Sequence, residues 1–252
     1  MKIKKVIIVL AGFLALLIVA GLVVPSFIDW NRYKSEIATQ VSAATGRELV
    51  IGGTLDVSFL PQPTLIAEDL RLSNMPGAAV ADMVALGGLR VRLALWPLLA
   101  GKIEIASLAL VRPTVELELL SDGRPNWEFE PSRPAGEAPS AAVHLPTSNR
   151  HGGAFKIGRL KIEDGTIVYR DSRTGNLERV DDIDAEIILE SPKGPVEAVG
   201  SAAPRGVPMR FEFKAGAFGE SKPVPLSLAL DFDGGAARLD VRGTLSKPDK
   251  DG

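Results

Sequence analysis

From Leu49 onward, apolar and polar residues alternate with period two, and this alternation constrains the fold more than any other feature of the chain. Leu55, Val57 and Phe59 flank Asp56 and Ser58. Leu89, Val91, Leu93 and Leu95 flank Arg90, Arg92 and Ala94. Val115, Leu117 and Leu119 flank Glu116 and Glu118. Val207, Met209, Phe211 and Phe213 form a further row, then Val224, Leu226, Leu228, Leu230 and Phe232, then Leu239, Val241, Gly243 and Leu245. Successive strand side chains point to opposite faces, so such rows predict sheets with one apolar and one wet face, the antiparallel habit. Asp122-Gly123, Asp164-Gly165, Gly175-Asn176 and Gly234-Gly235 supply turn chemistry between the runs. By itself the pattern fits an ordinary core of two sheets packed face to face.

An internal repeat points the same way. Ile105, Leu108, Leu110, Pro113, Val115 and Leu117 match Ile157, Leu160, Ile162, Gly165, Ile167 and Tyr169 without a gap. Both copies break phase once and then resume. Two copies of a hairpin-like unit predict a sheet built by repetition. Between them, residues 131–153 are rich in Pro, Ala, Ser and Gly and lack a period, the composition of a linker.

The N-terminus is of another kind. Val6 to Val24 carries no charge and at about 1.5 Å per residue reaches roughly 28 Å, close to bilayer thickness. Val6, Leu16 and Val24 mark the start, middle and end of this predicted transmembrane helix. A cleaved signal peptide has a shorter apolar core, and a buried helix is seldom apolar all round. Lys2, Lys4 and Lys5 precede the stretch, so residues 1–5 are expected in the cytoplasm and the bulk of the chain across the membrane. Trp30 and Tyr33 suit the outer interface. Asn31 to Thr45 then reads as a short amphipathic helix bearing Tyr33, Ile37, Val41 and Ala44, with Gly46 as its stop.

Chemistry is sparse. Cysteine is absent, the formal net charge is -2, and 24% of residues are charged, so disulfides, thiolate sites and a nucleic-acid-binding field are not expected. Glu116 and Glu118 resemble a carboxylate pair but read as a solvated strand face. Asp181, Asp182 and Asp184 lack the further ligands and glycine of a calcium loop and read as a solvated turn. His144 and His151 fall in the linker without triad spacing. Asp122-Gly123-Arg124-Pro125-Asn126-Trp127 reads as a turn whose tryptophan covers the sheet end rather than as a ligand contact. Trp96-Pro97-Leu98-Leu99 reads as a strand end closed by Pro97, the alternative being a loop that touches the membrane. No catalytic, metal or cofactor signature is present, and a non-enzymatic protein is expected.

In combination these motifs resemble the AsmA family of bacterial envelope proteins. The likeness is carried by the lysine-led apolar stretch with Asp29 to Lys34, Thr45 to Gly53, Leu60-Pro61-Gln62-Pro63, Trp96 to Ile103, Arg112-Pro113, Asp122 to Trp127, and Ile162 to Gly165 with Tyr169 and Asp171. The resemblance implies an inner-membrane protein facing the periplasm, linked to outer-membrane biogenesis, to phospholipid transport between the membranes, and, as the alternative role, to targeting or assembly of outer-membrane proteins. It further implies a mainly β fold: the two helices, then a repeated antiparallel sheet curled into an apolar groove. The units would be residues 25–130 and 154–252 on either side of the linker. Family members usually continue further, so the second unit is expected to be truncated or the chain a fragment. Lipid would face Leu89, Val91, Leu93, Leu95, Val115, Leu117, Met209, Phe211, Leu226, Leu228 and Leu230. The expected partners are a phospholipid or other envelope lipid, the inner membrane, and an outer-membrane or envelope protein, with no nucleic acid and no cofactor.

Overall fold

Alternation becomes a single sheet, not two packed layers. A computed structural model describes residues 12–13, 28–59, 62–101, 104–129, 158–189, 191, 194–218 and 223–245. Its strands are β1 (Leu49–Ile51), β2 (Leu55–Ser58), β3 (Thr64–Ser73), β4 (Asp82–Leu93), β5 (Ile105–Leu119), β6 (Arg159–Asp171), β7 (Asn176–Leu189), β8 (Val196–Pro204), β9 (Met209–Ala215), β10 (Val224–Phe232) and β11 (Ala237–Leu245). The sheet runs β1-β3-β4 and onward in chain order to β11, with β2 also paired to β3. It is open, since β1 and β11 lie at opposite ends of the order.

Every pairing is antiparallel except that of β5 with β6. That exception is the sequence repeat. Leu108 pairs with Leu160, Leu110 with Ile162, Val115 with Ile167 and Leu117 with Tyr169, so matched residues of the two copies are direct neighbours. The repeated unit is a long strand, not a hairpin. Asp164-Gly165, which reads as a turn in the sequence, lies inside β6 as a bulge. Its counterpart in β5 is Arg112-Pro113. Arg112 and Asp164 both adopt left-handed backbone, φ 46° and 55°.

Asp69 in β3 (φ 48°) and Asp182 in β7 (φ 52°) share this conformation. Pairing is interrupted at the same level without a change of register: Glu68–Gly88 is followed by Leu70–Leu86, Gly88–Val111 by Leu86–Pro113, and Val111–Glu163 by Thr114–Thr166. The phase breaks therefore stack into a crease across β3 to β7. Between β6 and β7 and between β7 and β8 the interruption includes a register shift, and such a bulge bends and twists its strand. Asp181, Asp182 and Asp184 belong to this crease within β7, not to a solvated turn.

A 3₁₀ turn (Trp30–Tyr33) leads into α1 (Lys34–Thr45), ended by Gly46 in left-handed backbone (φ 69°) with its N–H donating to the Ser42 carbonyl. Ile37, Ala38 and Val41 form the half-buried side, while Tyr33 and Ala44 are exposed. Trp30 and Ile37 pack onto Leu55, Ala67 and Leu70, which are 3%, 2% and 7% exposed. The Leu55 N–H donates to Asn31 Oδ1 at 3.1 Å, fixing the entry of the chain against β2.

A five-residue helix, α2 (Leu95–Leu99), follows β4. It corrects two expectations: the β4 row stops at Leu93, so Leu95 is not part of it, and Pro97 sits in a first helical turn, where it is tolerated, rather than closing a strand. No helix among the described residues is long and apolar enough to cross a membrane. The anchor positions Val6, Leu16 and Val24, and the linker 131–153 with both histidines, lie outside the described residues.

Close packing is legible at Gly200 of β8. A Cβ there would lie 2.3 Å from the Asp184 carbonyl oxygen, 2.9 Å from Ala185 Cα and 2.8 Å from Phe211 Cζ. Gly200→Val is expected to cost about 1–3 kcal/mol through overpacking, measured as a lowered unfolding midpoint in denaturant.

Candidate functional site

Register turns the alternation into continuous rows. One row crosses ten strands through Leu55, Ala67, Leu89, Leu110, Ile162, Ala185, Gly200, Phe211, Leu230 and Leu239. The next runs through Val57, Leu65, Val91, Leu108, Leu160, Ile187, Ala198, Phe213, Leu228 and Val241. Neither contains a polar residue. The intervening row on the opposite face carries Asp56, Arg90, Lys161, Glu186, Glu212 and Asp240 among Ile66, Ala109, Val199 and Ala229. At about 4.8 Å per strand, the apolar rows extend roughly 38 Å from β3 to β11.

What covers the apolar rows differs along them. Under α1, at Leu55 and Ala67, exposure falls to 3% and 2%. Away from the helix, Val91, Leu110, Leu160, Phe211, Phe213, Leu228 and Leu230 are only half-buried. Among the described residues no second layer lies on them. Among the described residues, neighbouring strands supply their shielding.

Of the residues singled out in the sequence, Leu89, Val91, Leu93, Met209, Phe211, Leu226, Leu228 and Leu230 lie on this face. Val115 and Leu117 continue it beyond the crease, beside Ile167 and Tyr169. Leu95 is separated from it in α2. Sequence reading missed Leu65, Leu108, Leu160, Ile187 and Ala198, which complete the rows. The repeat match of Leu108 and Leu110 to Leu160 and Ile162 carried that signal.

A buried polar node closes the sheet end where β5 finishes. Asn126 is 0% exposed. Its Oδ1 accepts from the Glu118 N–H at 2.8 Å, and its Nδ2 donates to the Glu116 carbonyl at 2.7 Å and to Asn74 Oδ1 at 3.0 Å. Glu118 is 3% exposed and accepts from the Ala79 N–H at 2.8 Å and the Ser172 hydroxyl at 2.6 Å. Glu118 is thus a buried structural acceptor, not part of a solvated face. Arg47, 8% exposed, donates to the Asn126 carbonyl at 3.1 Å and ties the end of α1 to the node. Asp122-Gly123 does form the turn, with Gly123 at φ 86°, and Trp127 lies 6.4 Å from the Tyr169 ring.

Next to this node, Asp171 is 9% exposed, and hydrogen bonds from the Arg173 guanidinium hold its carboxyl at about 2. An unfolded aspartate titrates near 3.9. The interaction therefore stabilises the fold fully above about pH 4 and is lost as pH falls through about 2. Asp171→Asn should flatten the acid limb of stability between pH 4 and 2, read from unfolding midpoints. The remaining ion pairs, such as Lys161–Glu163 at 2.8 Å and Arg238–Asp240 at 2.9 Å, are exposed and contribute little.

Among the described residues no group of His, Asp and Glu could hold a metal ion. The arrangement offers apolar area rather than a reacting constellation. The chain matches the model of the AsmA family over residues 1–221. It is 26% identical over 293 aligned positions to AsmA family protein YhjG of Escherichia coli, an alignment that takes in 100% of this chain and 40% of that protein. It is also 26% identical over 158 positions to protein AsmA of Escherichia coli, covering 62% of this chain and 24% of that protein. The chain thus spans well under half the length of these curated relatives.

Proposed function

The chain belongs to the AsmA family, and on that premise we propose that it is an inner-membrane-anchored, periplasm-facing protein of outer-membrane biogenesis that holds phospholipid on its apolar sheet face. Val6 to Val24 would be the anchor. The sheet would curl around its apolar side to form a groove, bent at the crease. The protein works without a catalytic residue or cofactor.

One observation carries this reading: two unbroken apolar rows whose large side chains stay half-exposed beyond α1, with the small Ala185 and Ala198 buried between them. Each methylene taken from water contributes about 0.8 kcal/mol, so an acyl chain is held without any specific polar contact. Half of a hydrocarbon core of roughly 30 Å belongs to each leaflet, so a face of about 38 Å takes more than one chain laid end to end. The experiment is lipid extraction and mass spectrometry of the full chain purified in mild detergent, followed by exchange with labelled phospholipid. Stoichiometric phospholipid that exchanges with label is expected. Detergent alone on the protein would sink the reading.

A second reading draws on β11, all of whose residues are exposed. Such an edge can accept an added strand, as an assembly factor for outer-membrane proteins would use it. Crosslinks from β11 to an unfolded outer-membrane protein, with no bound lipid, would favour that reading.

A further inference from the structure

We propose that α2 and the sheet end carrying it form a second contact with the bilayer, with Trp96 seated among the lipid headgroups. The proposal rests on the anchored reading above and adds an orientation to it. Trp96 is 81% exposed, more than any other large apolar residue described. A strand-to-strand connection needs no tryptophan there, and burial does not explain one. Indole combines an apolar body with an N–H donor and favours the membrane–water interface.

The chain's path brings this tip to the membrane side. Val24 is separated from Asp29 by a segment reaching at most roughly 18 Å when extended. Asn31 is tied to Leu55, whose row includes Leu89 of β4. From Leu89 the strand runs about 13 Å to Leu93, and α2 follows directly. In the other direction α1 runs away, and Arg47 beyond it bonds Asn126 at the opposite sheet end. The anchor's exit and Trp96 therefore share one end.

Charge at that end agrees. On the polar face a hollow of about 600 Å³ is lined by Arg90, Arg92, Arg159 and Lys161 against Glu163 and Glu186. Arg159 pairs with Glu186 and Lys161 with Glu163. Arg90 also acts on the Glu163 carboxylate, yet the hollow sets Arg90, Arg92, Arg159 and Lys161 against only Glu163 and Glu186, and this balance favours the phosphates of an anionic bilayer. Seated this way, the row through Val57, Leu65, Val91 and Leu108 would lie nearer the bilayer than the row through Leu55, Ala67, Leu89 and Leu110.

The absence of cysteine permits single labels. Ala100→Cys, beside α2, and Ala236→Cys, at the opposite end, would each carry an environment-sensitive fluorophore on the full chain in liposomes containing phosphatidylglycerol. Spin-labelled lipid with a shallow nitroxide is the probe. Quenching at position 100 is expected to exceed that at 236 by roughly threefold or more, and adding Trp96→Ser should bring it down to the level at 236. Equal quenching at both positions in chains that float with the liposomes would overturn the proposal while leaving the anchor intact. A signal at 100 that follows protein density instead of spin-labelled lipid would mean contact with a second copy and would overturn it too. A chain that does not float at all would overturn this contact and the anchor together.

Discussion

Asn126→Ala should lower the melting temperature of the detergent-solubilised chain by roughly 10 °C. The substitution strips the Glu118 N–H of its acceptor, and the Glu116 carbonyl and Asn74 Oδ1 of their donor, in a place with 0% exposure. An unmet buried polar group costs about 1–3 kcal/mol, so the sum is roughly 3–5 kcal/mol after some relaxation. At this chain length each kcal/mol moves the midpoint by about 2–4 °C. Asn126→Asp keeps the acceptor for the Glu118 N–H but loses both donors and puts a carboxylate where exposure is 0%. It should be no better than alanine. Thermal unfolding by circular dichroism decides the matter, and a shift below about 2 °C for both variants would mean that the node is dispensable.

The second large effect falls on the apolar face. Leu110→Glu combined with Leu228→Glu should reduce co-purified phospholipid at least tenfold. Both positions are half-buried and lie in adjacent rows on β5 and β10. A carboxylate there stays hydrated while the face is bare, so the fold tolerates it. Covering it with an acyl chain costs several kcal/mol or forces protonation, and 1.4 kcal/mol is already tenfold in occupancy. Ser227→Glu, one residue away on the opposite face beside Lys214, is the control and should retain lipid. Equal lipid on the double variant and the control, at matched melting temperatures, would remove the support for lipid on this face.

How much of this was readable follows from the side chains. In β10 and β11 the alternation is unbroken from Val224 to Phe232 and from Leu239 to Leu245, and both strands lie where it puts them. In β7 and β8 the same rows are continued by Ala185, Ala198 and Gly200, too small to register as apolar signals. At the crease, left-handed backbone falls on Asp69, Arg112, Asp164 and Asp182 instead of glycine, so the residue type gives little warning. Asp164-Gly165 consequently looks like a chain reversal when it is a bend within one strand. Glu118 and Asn126 look like surface residues because a strand's polar face is normally wet, and only the Asp122 turn folding back places one over the other. Whether the rows would close on a second sheet was also beyond the alternation, since period two is identical for one layer and for two.

That single layer ties the protein's own cohesion to whatever its apolar face holds. A folded domain usually fills its interior with its own side chains, whereas here much of the greasy side has no opposite number within the described chain. Any occupant therefore acts as missing core, and melting temperature becomes a gauge of loading through mass action. Stripped of its occupant, the protein should soften first at β9 to β11, farthest from the shelter of α1.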